Sequence, residues 1–182
     1  MSVPFMARRT ALWQVAAVVA AATFLFAGCA VSVPASIQPV RNFDAAKYMG
    51  QWYEIARIDH RFQAGLTQAE AHYALNDDGS VQVINRGFNA EKNVWKAIEG
   101  KAKFLGDPAI GALKVSFFGP FYGGYNIVDV DPAYQTALIV GEDTSYFWLL
   151  SRTPDMPKEQ LQQWLRKAQA MGVDLNQVIM AR

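Results

Sequence analysis

Between Tyr48 and Arg152 the chain is written in period two: apolar and polar residues alternate in short runs, broken by glycine, asparagine, aspartate and proline. Such alternation is the pattern of a half-buried strand, and many short runs of it argue for an all-β sandwich or barrel. The first run opens at Gly50-Gln51-Trp52-Tyr53-Glu54-Ile55-Ala56-Arg57. Leu66 to Leu75 then places Thr67, Ala69, Ala71, Tyr73 and Leu75 on one face, with Gln68, Glu70 and His72 on the other. Asn76-Asp77-Asp78-Gly79 is a hairpin turn built from residues that tolerate positive φ. Ser80 to Asn89 returns with Val81, Val83 and Asn85 on one face. Val94 to Leu105 is a further strand whose two faces are both mixed, so neither is marked as the inside. Ile110 to Phe118 sets Leu113, Val115 and Phe117 opposite Lys114 and Ser116, and Tyr125–Val130, Tyr134–Glu142 and Ser145–Ser151 follow. The connections are short, which favours an antiparallel up-and-down meander. At about eight strands its closed form is a barrel wide enough for one small ligand. Gly119-Pro120-Phe121-Tyr122-Gly123-Gly124 reads as a flexible loop exposing two aromatic rings.

After Ser151 the period changes. Thr153-Pro154-Asp155-Met156-Pro157 is a helix start, with Asp155 as the expected cap and Pro157 in the first turn. Leu161, Trp164, Leu165, Ala168 and Met171 form one apolar stripe, and Gly172 closes the helix. The spacing predicts a C-terminal α-helix packed outside the barrel, with Gln177 to Ala181 adding a short last strand. A chain of 182 residues, 52% of them apolar, is long enough for one domain with a substantial core. Residues 29–182 carry 15 basic and 16 acidic side chains, so no basic field marks nucleic acid as a partner. Two histidines and one cysteine are too few for the three or four His and Cys ligands of a usual zinc site. No metal or cofactor is expected, and no disulfide can form within the chain.

The start of the chain reads as a leader. Arg8-Arg9 precedes Ala11 to Phe26, an apolar run interrupted only by Gln14 and Thr23, and Ala27-Gly28-Cys29 follows. A positive start, a short apolar run and small residues before a break describe a secretory signal peptide. The small residues before the lone cysteine resemble a bacterial lipoprotein lipobox, departing from it at Phe26, where leucine is preferred. That resemblance implies cleavage after residue 28 and acylation of Cys29, with palmitate-type chains anchoring the protein. Ala30 after the cysteine implies the outer membrane. Residues 30 to 41, with two prolines and no charge before Arg41, read as an extended tether. The organisation expected is a signal peptide over 1–28, a lipidated cysteine and tether over 29–41, and a barrel domain over 42–182.

Gly50-x-Trp52 on the first strand, Asp131-Pro132-Ala133-Tyr134 in a late turn, Ser151-Arg152-Thr153 leaving the last long strand, and a helix beyond it together resemble the lipocalin family. Asn42-Phe43-Asp44, the run Trp52 to Arg57, Lys114 to Asn126, and Leu150 to Pro154 are similar to the bacterial outer-membrane members, and more loosely to apolipoprotein D. The resemblance covers about residues 42 to 182. It implies that Gly50, Trp52 and Arg152 form a structural plug, the guanidinium lying across the indole at the closed end.

The resemblance further implies a lipid-binding protein rather than an enzyme: fatty acid or lysophospholipid as ligand, a lipid anchor in the outer membrane facing the periplasm, a role in membrane maintenance under stress, and a possible homodimer. The residues independently allow an apolar lumen, with Val115, Phe117 and Trp148 as wall positions and Asn85, Tyr146 and Tyr125 as further candidates for ligand contact. Trp148 shares parity with Tyr146, Leu150 and Arg152, which points it inward above the plug. His72 reads as a solvated face residue, and His60 ends the first strand in a polar loop near the open mouth. The alternative of a different class is a periplasmic lipid hydrolase or isomerase on the same barrel. Against it, no Gly-x-Ser-x-Gly nucleophile motif is present, and catalytic members of the family use a strand cysteine where this chain has only Cys29.

Overall fold

The computed structural model of the chain describes residues 31–181; the expected signal peptide and Cys29 lie outside the described residues. Nine strands form one sheet: β1 (Gly50–Ile58), β2 (Leu66–Leu75), β3 (Val81–Asn89), β4 (Val94–Phe104), β5 (Ala112–Phe118), β6 (Phe121–Val130), β7 (Thr136–Val140), β8 (Phe147–Ser151) and β9 (Val178–Met180). Sequential neighbours pair antiparallel from β1 to β8, and β8 pairs back onto β1, which closes the barrel. The one-turn helix α1 (Ala45–Tyr48) precedes β1, and α2 (Lys158–Ala170) follows β8.

β1 changes partner along its length. Gly50 to Tyr53 pairs with β2, whereas Ala56 to Ile58 pairs with β9. The last strand is therefore wedged between β1 and β2 at the open end, where the Gln68 N–H donates to the Ala181 carbonyl at 2.7 Å and the Ala181 N–H to the Ile55 carbonyl at 3.0 Å. Gln68 takes φ +49° to make that junction, and the β2–β3 register shifts beside it. The register of β1 on β8 also shifts between Glu54 and Ala56. With that bulge, Glu54 and Arg57 come together although three residues apart, while Ile55, Ala56 and Ile58 join the outer core.

Two cores result. The inner one gathers Phe43, Tyr48, Trp52, Tyr73, Val83, Leu113, Ile127 and Ile139. The outer one joins Ile55, Leu138, Phe147 and Leu149 on the barrel wall to Trp164 and Ala168 of α2. The helical stripe meets the wall through Leu161, Trp164 and Ala168; Met171 lies beyond the helix at its C-terminal cap and is exposed. Pro157, not Asp155, occupies the N-cap position and makes no side-chain cap bond, its ring carrying no polar atom; the Thr153 hydroxyl donates to the Asp155 carbonyl at 2.9 Å ahead of the helix.

Three further expectations change on contact with the fold. The segment expected to run free as a tether to residue 41 is packed onto the barrel from Ile37, which is buried. Val40 N–H donates to the Ile127 carbonyl and Gly111 N–H to the Val40 carbonyl, both at 2.9 Å. A Cβ on Gly111 would sit 2.8 Å from the Val40 side chain, so glycine there is what lets the strap lie down. The expected flexible loop at 119–124 is a tight hairpin: β5 ends at Phe118, β6 begins at Phe121, and Gly119-Pro120 between them is a cis peptide. Gly123 and Gly124 are strand residues; a Cβ on Gly124 would meet the Gly141 backbone at 3.3 Å. The undecided strand β4 turns Lys96, Ile98, Gly100 and Ala102 to the same side as Gly87, Asn85, Val83 and Val81, their register partners. Gly100 is the marker of that inner face, because a Cβ there would lie 2.6 Å from the Phe117 ring.

At the closed end Trp52 is fully buried (0% exposed), and its indole N–H donates to the Tyr48 carbonyl at 2.8 Å. The Arg152 guanidinium lies 3.9 Å from the indole centre and donates to the carbonyls of Gln51, Met49, Lys47 and Tyr134 at 2.6 to 3.2 Å. Gly50 at φ +93° passes directly beneath, where a Cβ would meet Arg152 Nη1 at 3.5 Å. Asp131 ties the neighbouring β6–β7 turn by accepting from the N–H groups of Ala133 and Gln135, and the Tyr134 hydroxyl accepts from the Asp44 N–H at 2.8 Å. Trp52→Ala is expected to cost about 3–5 kcal/mol as the loss of a large buried aromatic. Arg152→Met is expected to cost at least the ~2 kcal/mol of a desolvated cation–π contact. Urea unfolding curves check both, and an unchanged midpoint for either variant would show that the plug does not bear on stability.

Candidate functional site

Inside the barrel lies a cavity of about 690 Å³, within the size range of small-molecule sites. All six side chains singled out as ligand contacts, Asn85, Val115, Phe117, Tyr125, Tyr146 and Trp148, line it. Period two explains this: lumen-facing residues recur at every second position, and none of the register shifts falls inside the runs that carry Val81, Val83 and Asn85 or Tyr146, Trp148 and Leu150. The Asn85 side-chain oxygen is buried and has no hydrogen-bond partner among the described residues.

The lumen also holds polar groups that strand parity did not single out. Glu54 lines the cavity, and its carboxylate accepts from Arg57 Nη1 at 2.6 Å and from Gln63 Nε2 at 3.0 Å. Gln63, on the β1–β2 loop, accepts in turn from the Trp148 indole N–H at 2.9 Å. Burial pushes the Glu54 carboxyl up, opposed by the Arg57 guanidinium beside it. Arg57 also donates to Asp59 at 2.8 Å and to the Leu66 carbonyl at 2.9 Å. It thereby engages a β2 carbonyl at the place where β1 and β2 have parted. Glu54 shares parity with Trp52, which was a usable signal; the bulge that brings Arg57 to it left none in the sequence.

Deeper in, the Tyr125 hydroxyl is hydrogen-bonded to those of Tyr48 (2.8 Å) and Tyr73 (3.0 Å). Burial pushes the Tyr48 and Tyr125 phenols well above their ordinary range and that of Tyr73 to about 12. At the mouth, Phe62, Phe118 and Phe121 are 65%, 73% and 79% exposed and line the entrance. Tyr122, expected to be exposed, is half-buried, with the Lys114 ammonium 4.8 Å from its ring centre. His60 stacks on Tyr146 at 4.1 Å and contacts the Ser145 carbonyl at 3.0 Å, joining the β1–β2 loop to the β7–β8 connection. His72 is exposed. Cys29 falls outside the described residues. The arrangement is a mainly apolar, one-ended tube with a polar clasp part-way down and an aromatic rim.

Residues 43–182 match the family described as a lipocalin-like domain. The outer membrane lipoprotein Blc of Citrobacter freundii is 51% identical over 166 residues, covering 91% of this chain and 93% of that protein. Bovine apolipoprotein D is 35% identical over 128 residues, 65% of each chain. Among solved structures, insecticyanin from the tobacco hornworm superposes with a TM-score of 0.63 at 19% identity, covering 83% of this chain and 86% of that one, a likeness of fold alone. The barrel order, the tryptophan–arginine plug and the family match together make this chain a member of the lipocalin family.

Proposed function

We propose that the protein is a lipid carrier anchored in the outer membrane, facing the periplasm, that takes the acyl chain of a fatty acid or lysophospholipid into its barrel and serves membrane maintenance under stress. The observation that carries this reading is the cavity: about 690 Å³, lined mainly by Val, Leu, Ala and aromatic side chains, and entered past three exposed phenylalanines. Each methylene transferred from water into such a lumen contributes about 0.8 kcal/mol, so a long chain outweighs the cost of being held. Val115, Phe117 and Trp148 contact the chain; Asn85, Tyr125 and Tyr146 supply polar edges. The plug of Gly50, Trp52 and Arg152 closes the far end and takes no part in binding.

The anchor in this proposal is Cys29, acylated after removal of residues 1–28. The Citrobacter freundii relative, named an outer membrane lipoprotein, supports that placement. A homodimer fits the same reading, since Phe118 and Phe121 are exposed apolar surface that a partner copy would cover. The mechanism is partition without bond chemistry.

Native mass spectrometry of the chain from Ala30 onward, mixed with a lysophospholipid, is expected to show one lipid per barrel, recovered chemically unchanged. Trp148→Ala is expected to weaken binding about tenfold or more, the loss of a wall aromatic together with its bond to Gln63. No adduct in either protein would refute the carrier, and hydrolysed lipid would shift the reading to a lipid-modifying enzyme. Cys29→Ser is expected to abolish acyl labelling and release the protein from the membrane fraction; a labelled, membrane-bound variant would refute the anchor.

A further inference from the structure

The three phenols deep in the cavity do not balance among themselves. A tyrosine hydroxyl carries one hydrogen to donate. Tyr48, Tyr125 and Tyr73 therefore bring three hydrogens, and the two bonds that join them, at 2.8 and 3.0 Å, consume two. No other hydrogen bond engages any of the three hydroxyls among the described residues. All three residues line the lumen. One phenolic hydrogen is thus left facing an apolar cavity, where a donor without an acceptor is costly.

The framework holds this group in place. The Tyr48 ring packs on Trp52 at 4.8 Å and on Tyr73 at 5.6 Å, and Tyr73 meets Tyr125 edge-on at 6.1 Å. Tyr73 faces Val83 in the β2–β3 register, and Tyr125 faces Leu113 in the β5–β6 register. The charges of Arg152 and Glu54 are felt at Tyr73, but neither side chain is hydrogen-bonded to a phenol of the cluster. Tyr73 lies seven residues along β2 from Leu66 at the mouth, about 23 Å of strand. A ligand whose head stays at the rim reaches this depth only with its chain.

We propose that the Tyr48–Tyr125–Tyr73 cluster is a second, internal subsite that hydrogen-bonds a neutral oxygen, a hydroxyl or keto group, carried on the inner part of an acyl chain. A carboxylate or phosphate is the wrong occupant, because one spare phenolic hydrogen does not replace the water that a buried charge gives up. An unsubstituted chain leaves the donor empty or keeps a trapped water with it. An oxygenated chain fills it. The inference rests on the carrier reading above and adds a preference among its ligands.

The test is direct competition on the full chain purified in non-ionic detergent. Palmitate is offered together with its ω-hydroxy derivative, and then with a mid-chain hydroxy derivative, at equal concentration; the bound lipids are extracted and quantified. At least one hydroxylated chain is expected to be enriched roughly fivefold to tenfold over palmitate, the worth of one buried hydrogen bond. The variant Tyr48→Phe/Tyr73→Phe/Tyr125→Phe, which removes all three hydroxyls while keeping ring volume, is expected to lose the enrichment, so that whatever lipid is extracted from it holds palmitate and its hydroxylated derivatives in equal share. The single variant Tyr125→Phe breaks the chain of hydroxyls but leaves two donors, so it keeps the enrichment. Equal binding of palmitate and both derivatives to the unmodified protein overturns the subsite, with water its only occupant, and leaves the carrier standing. Enrichment that persists in the triple variant also overturns it. Failure to bind any of the lipids overturns both readings.

Discussion

The stacking of Arg152 on Trp52 is the contact on which the rest of the barrel depends. A closed eight-stranded sheet has two ends, and a lumen open at both would be a wet channel. The guanidinium covers the indole and satisfies four carbonyls from α1, β1 and the β6–β7 turn. One side chain therefore seals the floor and ties the entry to β1, the end of β8 and a neighbouring connection to the same point. With the floor sealed, the volume above Trp52 is entered from the other end, past Phe62, Phe118 and Phe121. Tyr48, resting on Trp52, is the first layer of that volume, so the internal phenols are positioned by the plug as well.

The other end is organised by a mismatch. β1 leaves β2 after Tyr53, and β9 enters between them. Parting two strands strands backbone groups, and buried backbone groups must be paired. β9 supplies partners on the outside of the gap, and Arg57 supplies one from within by donating to the Leu66 carbonyl. The charge that does this is buried, so it needs its own counter-ion. Glu54 provides it, and Glu54 recruits Gln63, which recruits Trp148. The polar clasp in the lumen follows from the splayed seam, and it ties the β1–β2 loop to the wall of the cavity.

The strands could be seen in the sequence wherever one face was buried and the other wet. β2, β3 and β5 alternated cleanly, and the inner residues from Ala69 to Tyr73, Val81 to Asn85 and Leu113 to Phe117 line the lumen, whereas Leu75 at the end of β2 is exposed. β4 did not, because both of its faces carry charged and apolar residues near the open end. Its register with Val81, Val83 and Asn85 and the proximity of Gly100 to Phe117 show which side is in. The hairpin at Gly119-Pro120 reads as a loop in the sequence because glycine density signals flexibility, whereas Gly124 is a strand residue set against the Gly141 backbone. Residues 37–41 read as a tether for the converse reason: a segment with proline and little charge looks free until the surface that receives it is known.

Period is a local property, and it determined an antiparallel meander of about eight strands with an outer helix and inward-facing Trp148, Phe117 and Val115; the tryptophan–arginine floor was implied by the resemblance to lipocalins. What only the tertiary structure decided are contacts that alternation does not state: Arg57 beside Glu54 across a bulge, Gln63 folded inward onto Trp148, and three tyrosines from α1, β2 and β6 meeting at their hydroxyls. A side chain's own strand states which way it points. It does not state which polar groups from elsewhere will meet it, because that depends on register shifts and loop paths, which the alternation of the sequence does not encode.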